Sequence, residues 1–330
     1  MPPHTRVLAL LLTALTAGGA ACAGPGAQAP RGTPTLFDDP AAHAGVTGEP
    51  RSTASSRFWE HWGDGRAELS TYRIRTVRYG EPRQGELVLI YVTEPHDRRA
   101  WIKDDDAIEP HRVEVLKLNA SLKFMTGIYP YSVMTSVFSP VDDWGGSRFR
   151  PVKISTSVQE WCGNTHHELW PGTDGFRSLR LSYFAGEGER MSRTAAPEGT
   201  LYEDALLIQL RELDGPFAGG GNWEGRLVPS LWSARRGHER AGPVPATITR
   251  EELRAGQGTR FTVRRGDVET RIDVEGRYPH RVLGWSTSAG DTVELVQTRR
   301  LAYWRLNDSG GARFRAELGL DPDASGRIPR

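Results

Sequence analysis

Beyond residue 66, apolar and polar positions alternate along much of the chain, the period of two that marks strands with one dry and one wet face. The alternation predicts a strand over Ala67–Tyr79, followed by a turn over Glu81-Pro82-Arg83-Gln84-Gly85. Glu86–Thr93 (ELVLIYVT) is a continuous apolar run suited to a central strand. Arg112–Asn119, Lys153–Gln159 and Phe176–Phe184 read as further strands. Lys123–Ser139 does too, but Pro130 has no N–H to donate, so this stretch is bent, an edge strand, or two strands. The clearest sheet is C-terminal. After Phe261 and Val263, residues Val268, Thr270, Ile272 and Val274 alternate with Glu269, Arg271, Asp273 and Glu275. Arg281–Thr287 and Thr292–Gln297 flank Ser288-Ala289-Gly290-Asp291, a hairpin signature, and Leu301–Arg305 ends the series.

Helical spacing occurs in two places. Ser55 or Ser56 stands where it would cap a short helix carrying Phe58, Trp59 and Trp62, stopped by Gly63-Asp64-Gly65. Thr200-Leu201-Tyr202-Glu203 has the capping-box spacing, and Leu206, Leu210 and Leu213 then form one apolar stripe up to Asp214-Gly215-Pro216. The expected fold is therefore mainly β: a large antiparallel curved sheet or partly open barrel with one or two short helices. Residues 55–307 form a single β-rich domain, with a possible division near 200, and 308–330 a polar, frayed tail.

The start of the chain follows another pattern. Arg6 and His4 precede an eleven-residue apolar run, Val7 to Ala17, too short for a membrane-spanning helix of roughly 20 residues but suited to a signal peptide. Gly18-Gly19-Ala20-Ala21-Cys22 resembles the lipobox of bacterial lipoproteins, which implies cleavage after residue 21 and lipidation of Cys22. The alternative is an ordinary secretory peptide cut near Ala20-Ala21. Ala23 rather than Asp follows the cysteine, and the resemblance then implies outer-membrane sorting. Residues 22–54, rich in Ala, Gly and Pro, read as a flexible lipidated tether.

Processing removes one of the 42 basic side chains, Arg6, and none of the 41 acidic ones, so the mature chain is neutral. That balance excludes the basic footprint of a nucleic-acid binder. Of the two cysteines, acylated Cys22 leaves Cys162 unpaired.

The densest chemistry is Ser157-Val158-Gln159-Glu160-Trp161-Cys162-Gly163-Asn164-Thr165-His166-His167. Cys162 with His166 or His167, and Glu160 as acid or base, are the candidate catalytic residues of a hydrolase. In an extended strand Cys162 and His166 share a face but lie roughly 13 Å apart, so they meet only if Gly163-Asn164 turns. The bland reading is a turn with Trp161 and Cys162 packed inside. Metal binding is a third reading of Glu160, His166 and His167, joined by His61, Asp64, His96 or His111. No HExxH or CxxC spacing supports it, so neither metal nor cofactor is expected. Asp104-Asp105-Asp106 lacks the spacing of a calcium loop, and Gly219-Gly220-Gly221 lacks the context of a phosphate loop. The ten Trp residues fill a core, or stack on sugars or line a lipid cavity.

Four segments, FWEHWGDGRAELSTYRIRTVRYGEPRQGELVLIYVTEP (58–95), VLKLN (115–119), FMTGIYPYSVMTSVFSPV (124–141) and SVQEWCG (157–163), together resemble an uncharacterised family of bacterial lipoproteins. Some members carry the label septum formation inhibitor Maf. Maf proteins are cytoplasmic nucleotide pyrophosphatases with a Ser-rich N-terminal loop that this chain lacks, so the label is not transferred. The segment YPHRVLGWSTSAGDTVELVQTRRLAYW (278–304) is similar to the closing strands of periplasmic lipoprotein carriers, which implies a half-open barrel with helices plugging an apolar cavity. Neither resemblance supplies catalytic residues. The expected function is non-enzymatic: a lipid-anchored envelope protein, held at the membrane, that binds an apolar ligand such as a lipid, or a partner protein. The alternative is the Cys162 hydrolase. Acylation predicts that wild-type protein partitions with membranes while Cys22→Ser does not; fractionation that finds both in the same soluble fraction refutes the anchor.

Overall fold

Ser55 begins the folded body: its side chain accepts the amide of Phe58 (3.2 Å) and caps α1 (Ser56–Trp62), which buries Phe58 and Trp62. This is a computed structural model, and it describes residues 48–144, 148–188, 190–213 and 221–321. The signal segment, Cys22, the tether up to residue 47, the stop at 214–216, Gly219, Gly220 and the tail beyond 321 lie outside the described residues.

Strands then predominate along the chain. The first series is β1 (Ala67–Arg78), β2 (Glu81–Asp97), β3 (Ile102–Lys103), β4 (Arg112–Thr126), β5 (Tyr129–Pro140), β6 (Lys153–Glu160), β7 (Gly163–Pro171), β8 (Gly175–Ser182) and β9 (Arg190–Ala195). After it come β10 (Leu201–Tyr202), α2 (Leu206–Glu212), β11 (Trp223–Val228) and α3 (Leu231–Gly237). The second series is β12 (Val244–Glu252), β13 (Gly258–Arg265), β14 (Val268–Glu275), β15 (Val282–Thr287) and β16 (Thr292–Leu301), with α4 (Phe314–Glu317) near the end.

Among the described residues all sixteen strands belong to one sheet, in the order β10-β11-β12-β13-β14-β15-β16-β1-β2-β4-β5-β6-β7-β8-β9, with β3 paired to β2 alone. Its pairs are antiparallel except β10 with β11. Because β16 pairs with β1, strands from before and after residue 200 share the sheet. The sheet is curved and unclosed. Register shifts at Thr71/Tyr72 and Asp273/Val274 are bulges, which increase bending and twist. Gly85 lets β2 and β4 approach closely: a Cβ there would stand 2.2 Å from the Lys123 carbonyl oxygen.

The concave face holds the main core. Tyr72 and Ile74 of β1, Leu87, Leu89 and Tyr91 of β2, and Leu116 and Leu118 of β4 pack with Phe58, Trp62, Ile208 and Leu231 from the helices. One ion pair fastens this layer. Arg211 and Glu68 are both buried, with guanidinium–carboxylate contacts of 2.8 and 3.1 Å. Arg211 also donates to the Pro279 carbonyl (3.1 Å) and lies 4.2 Å over the Tyr91 ring. Burial alone would raise the Glu68 pKa, but Arg211 and His61 outweigh it and hold the carboxyl at about 2.

Several local expectations change. The first turn falls at Tyr79-Gly80, both at positive φ, rather than at 81–85, where β2 has already begun. Lys123–Ser139 is two strands parted at Gly127-Ile128. Thr200 is not a helix cap: its hydroxyl donates to the Pro197 carbonyl (2.6 Å), and Leu201–Tyr202 pairs as β10. Strand pairing and the Glu203–Arg265 ion pair (3.0 Å) override the local capping box, so the helix begins with a 3-10 turn at Glu203–Ala205. The expected frayed tail is ordered to residue 321: Leu318 and Leu320 cover Ala67, Leu69 and Val92 on the convex face.

Removing one partner of the buried ion pair strands the other. Glu68→Ala is expected to cost about 3–5 kcal/mol in urea denaturation, while the paired replacement Glu68→Leu with Arg211→Met costs far less. Equal losses would mean that charge burial is not what the pair balances.

Candidate functional site

The turns at 79–80, 127–128, 161–162, 183–188, 266–267 and 288–291 all fall at one end of the sheet, because neighbouring strands run antiparallel. The opposite end is plugged by α1, α2 and the Arg211–Glu68 pair. Between the concave face, α2 and α3 lies a cavity of about 390 Å³. Its interior is mainly apolar, lined by Ile74, Leu118, Val137, Leu207, Ile272 and Trp285 from the middle of the strands and from α2, with Thr135 and Thr270 among them. Alternation places the strand residues there, each on the inward face of its strand, while α2 supplies Leu207. Towards the turn end the lining includes Thr76, Leu122, Val268 and Ala289, with Trp232, Ser233 and Arg236 of α3 alongside.

Charged groups gather at that end. Arg236 donates to both oxygens of Asp291 (3.0 Å each), and Asp291 also accepts from the Thr76 hydroxyl (2.8 Å) and the Val77 amide (2.9 Å). Burial opposes ionisation of Asp291, but Arg236 and these donors hold its pKa below the usual value. Glu203 and Asp204 accept the Ser230 and Leu231 amides (2.9 Å each), so two carboxylates from another segment satisfy the first N–H groups of α3. This is why the sequence hides α3: the stabilising acids lie 27 residues away. Asp204 is half-buried and lines the cavity. Burial pushes its pKa up to about 6, against the lowering effect of the Leu231 amide.

The Cys162 cluster is the turn between two strands that the bland reading expects, but its side chains are not packed inside. Trp161-Cys162 is itself the β6–β7 turn, with Glu160 paired to Gly163. Both turn residues are exposed rather than packed inside, because a two-residue turn extends beyond the sheet it connects. Glu160 accepts the Cys162 amide (2.7 Å) and the Tyr183 hydroxyl (2.6 Å). A hydrogen bond to Glu160 pushes the Cys162 thiol pKa up, the opposite of what a thiolate nucleophile needs. His166 lies up the strand opposite Ser157, and His167 opposite Thr156. The two histidines face opposite sides of the sheet, and burial lowers the His167 pKa to about 4.

His166 does join a chain that sequence reading missed. Its Nδ1 is 2.8 Å from the Ser157 hydroxyl and its Nε2 3.2 Å from Glu168. The only signal was cross-strand register, which follows from the position of the turn. Ser157 lies on a strand paired on both sides, so nearby backbone N–H groups are committed to β5 and β7 and no backbone oxyanion pocket is formed.

The remaining candidates are dispersed. His61 stands 3.5 Å from Glu68, His96 is buried 3.0 Å from Glu94, and Asp64 accepts the Arg66 amide. The His111 amide donates to the Ile108 carbonyl, while Asp104 and Asp105 bond to Asp106 and Lys103 beside it. Among the described residues, no three His, Cys, Asp or Glu side chains gather to hold a metal ion. Trp62 and Trp101 are core residues, whereas Trp232 and Trp285 line the cavity.

Comparison with protein-family models, curated proteins and solved structures finds no match to this chain.

Asp204 supplies a pH test. With a folded pKa of about 6 against an ordinary 3.8, the folded chain binds a proton that the unfolded chain has released. Its contribution is complete below pH 4 and is lost as pH rises through 6. His167 acts in the opposite direction over much of that range but is common to both proteins being compared. Asp204→Asn is thus expected to gain stability relative to wild type between pH 4 and 6, with a constant difference above. A pH-independent difference in urea midpoints would show that Asp204 ionises normally.

Proposed function

We propose that this protein is a non-catalytic, lipid-anchored envelope protein that binds an apolar ligand in the cavity beneath α2 and α3. The observation that carries this reading is the mainly apolar interior of that cavity, whose volume of about 390 Å³ lies within the range of small-molecule sites. Burying hydrocarbon there releases it from water at roughly 25 cal/mol per Å². The charged end is largely self-satisfied, with Arg236 on Asp291 and Arg265 on Glu203, so it places little electrostatic demand on a ligand. The anchor at Cys22 would hold this body at the outer membrane on its tether. Among the described residues, no helix is long and apolar enough to cross a membrane.

The test fills the cavity. Ala120 lines it, and Ala120→Phe directs a ring into the space an acyl chain would take. The variant should keep its melting temperature within a few degrees and lose binding of a fluorescent fatty acid. A wild-type protein that neither binds the probe nor carries lipid in native mass spectrometry refutes the reading. Retained binding in Ala120→Phe places the ligand elsewhere.

A further inference from the structure

The turn end of the sheet carries large side chains in water. Ile128 is 78% exposed, Trp161 67% and Tyr79 57%, with Met125 and Tyr183 beside them. Tyr79, Ile128, Trp161 and Tyr183 belong to turns of successive hairpins, so the meander delivers them to one rim. A chain of packed rings joins the rim to the cavity wall. Trp232, which lines the cavity, lies 6.4 Å from Tyr131 and 6.3 Å from Phe124. Phe124 and Tyr131 stack at 4.9 Å, Tyr131 meets Tyr129 at 6.0 Å, and Tyr129 stacks on Trp161 at 6.0 Å. The Tyr79 and Tyr131 hydroxyls are 2.7 Å apart, and the Arg78 guanidinium lies 4.2 Å over the Tyr79 ring. These contacts hold the rim rings in place before anything binds.

We infer that this rim, formed by Tyr79, Ile128, Tyr129, Trp161 and Tyr183, seats on a lipid bilayer and opens the cavity towards its surface. The inference rests on the cavity holding an apolar ligand, because such a ligand needs a dry route between protein and membrane. Three observations select a bilayer as the occupant. The rim is rich in Trp and Tyr, the side chains that prefer the membrane interface, with an apolar Ile at the most exposed tip. Tyr79 and Tyr183 keep polar hydroxyls within hydrogen-bonding networks at this end, and the Arg78 cation lies among the rings, as suits the headgroup level. The ring chain leads from exposed Trp161 through Tyr129 and buried Tyr131 to Trp232 on the cavity wall.

The sequence contains a reporter for this contact. Cys162 is exposed on the same turn as Trp161, and Cys22 is the one other cysteine. In the full chain carrying Cys22→Ser, no acyl anchor contributes and Cys162 is the one thiol to label. With an environment-sensitive fluorophore on Cys162, vesicles of phosphatidylethanolamine and phosphatidylglycerol should shift emission to the blue, and spin-labelled lipid should quench it. Trp161→Ser combined with Ile128→Ser should weaken flotation with the vesicles by about tenfold or more, since each buried side chain contributes over 1 kcal/mol. That variant should still bind the fluorescent fatty acid in solution. Conversely, Ala120→Phe should lose the fatty acid and still float. A label that stays in an aqueous environment, while the fatty acid binds normally, overturns the membrane contact without touching the cavity reading and turns the rim over to a protein partner. Flotation unchanged in the rim variant also overturns it.

Discussion

The Arg211–Glu68 pair decides which end of this molecule is open. It fixes the end of α2 to the start of β1, and the fully buried guanidinium is shared among a carboxylate, a backbone carbonyl and the Tyr91 ring. Such a pair survives burial only when its geometry is nearly complete, and here the bidentate contact and the added carbonyl supply that. With one end of the concave face filled by α1, α2 and this pair, the remaining inward residues have fewer helical side chains to pack against. The cavity lies where that filling stops.

Two physical demands meet at the other end. Apolar strand residues line the cavity, yet α3 needs acceptors for its first amides. Glu203 and Asp204 supply them from the turn that starts α2, and Arg265 answers Glu203. One short acidic turn therefore links α2, α3 and β13 around the cavity.

Sequence patterning located most strands, because a curved sheet with one packed face preserves the period of two. It failed where a tertiary partner decided the outcome. Thr200 and Glu203 have capping-box spacing, but Leu201–Tyr202 found a strand partner and Glu203 found Arg265. The seven residues of α3 have no local acidic cap to announce them. The cavity was less legible still: Trp232 and Trp285 differ from the buried Trp62 and Trp101 in nothing that sequence displays. Cys162 was misread for a geometric reason. The turn is Trp161-Cys162 itself, one residue pair before the Gly163-Asn164 turn that a Cys162–His166 contact requires, which puts both side chains outside and pairs Ser157 with His166.

The two unpaired edges of the sheet, β9 and β10, are consecutive in the chain and joined through residues 196–200. In a closed barrel, strand number and stagger together fix the circumference. Here the ring of hydrogen bonds is interrupted at one seam, and a short covalent link spans it instead. Among the described residues no ladder bond joins these two strands, so the separation of the sheet's ends is held by the chain link and by side-chain packing such as Phe176 against Tyr202, and a change there breaks no backbone pairing.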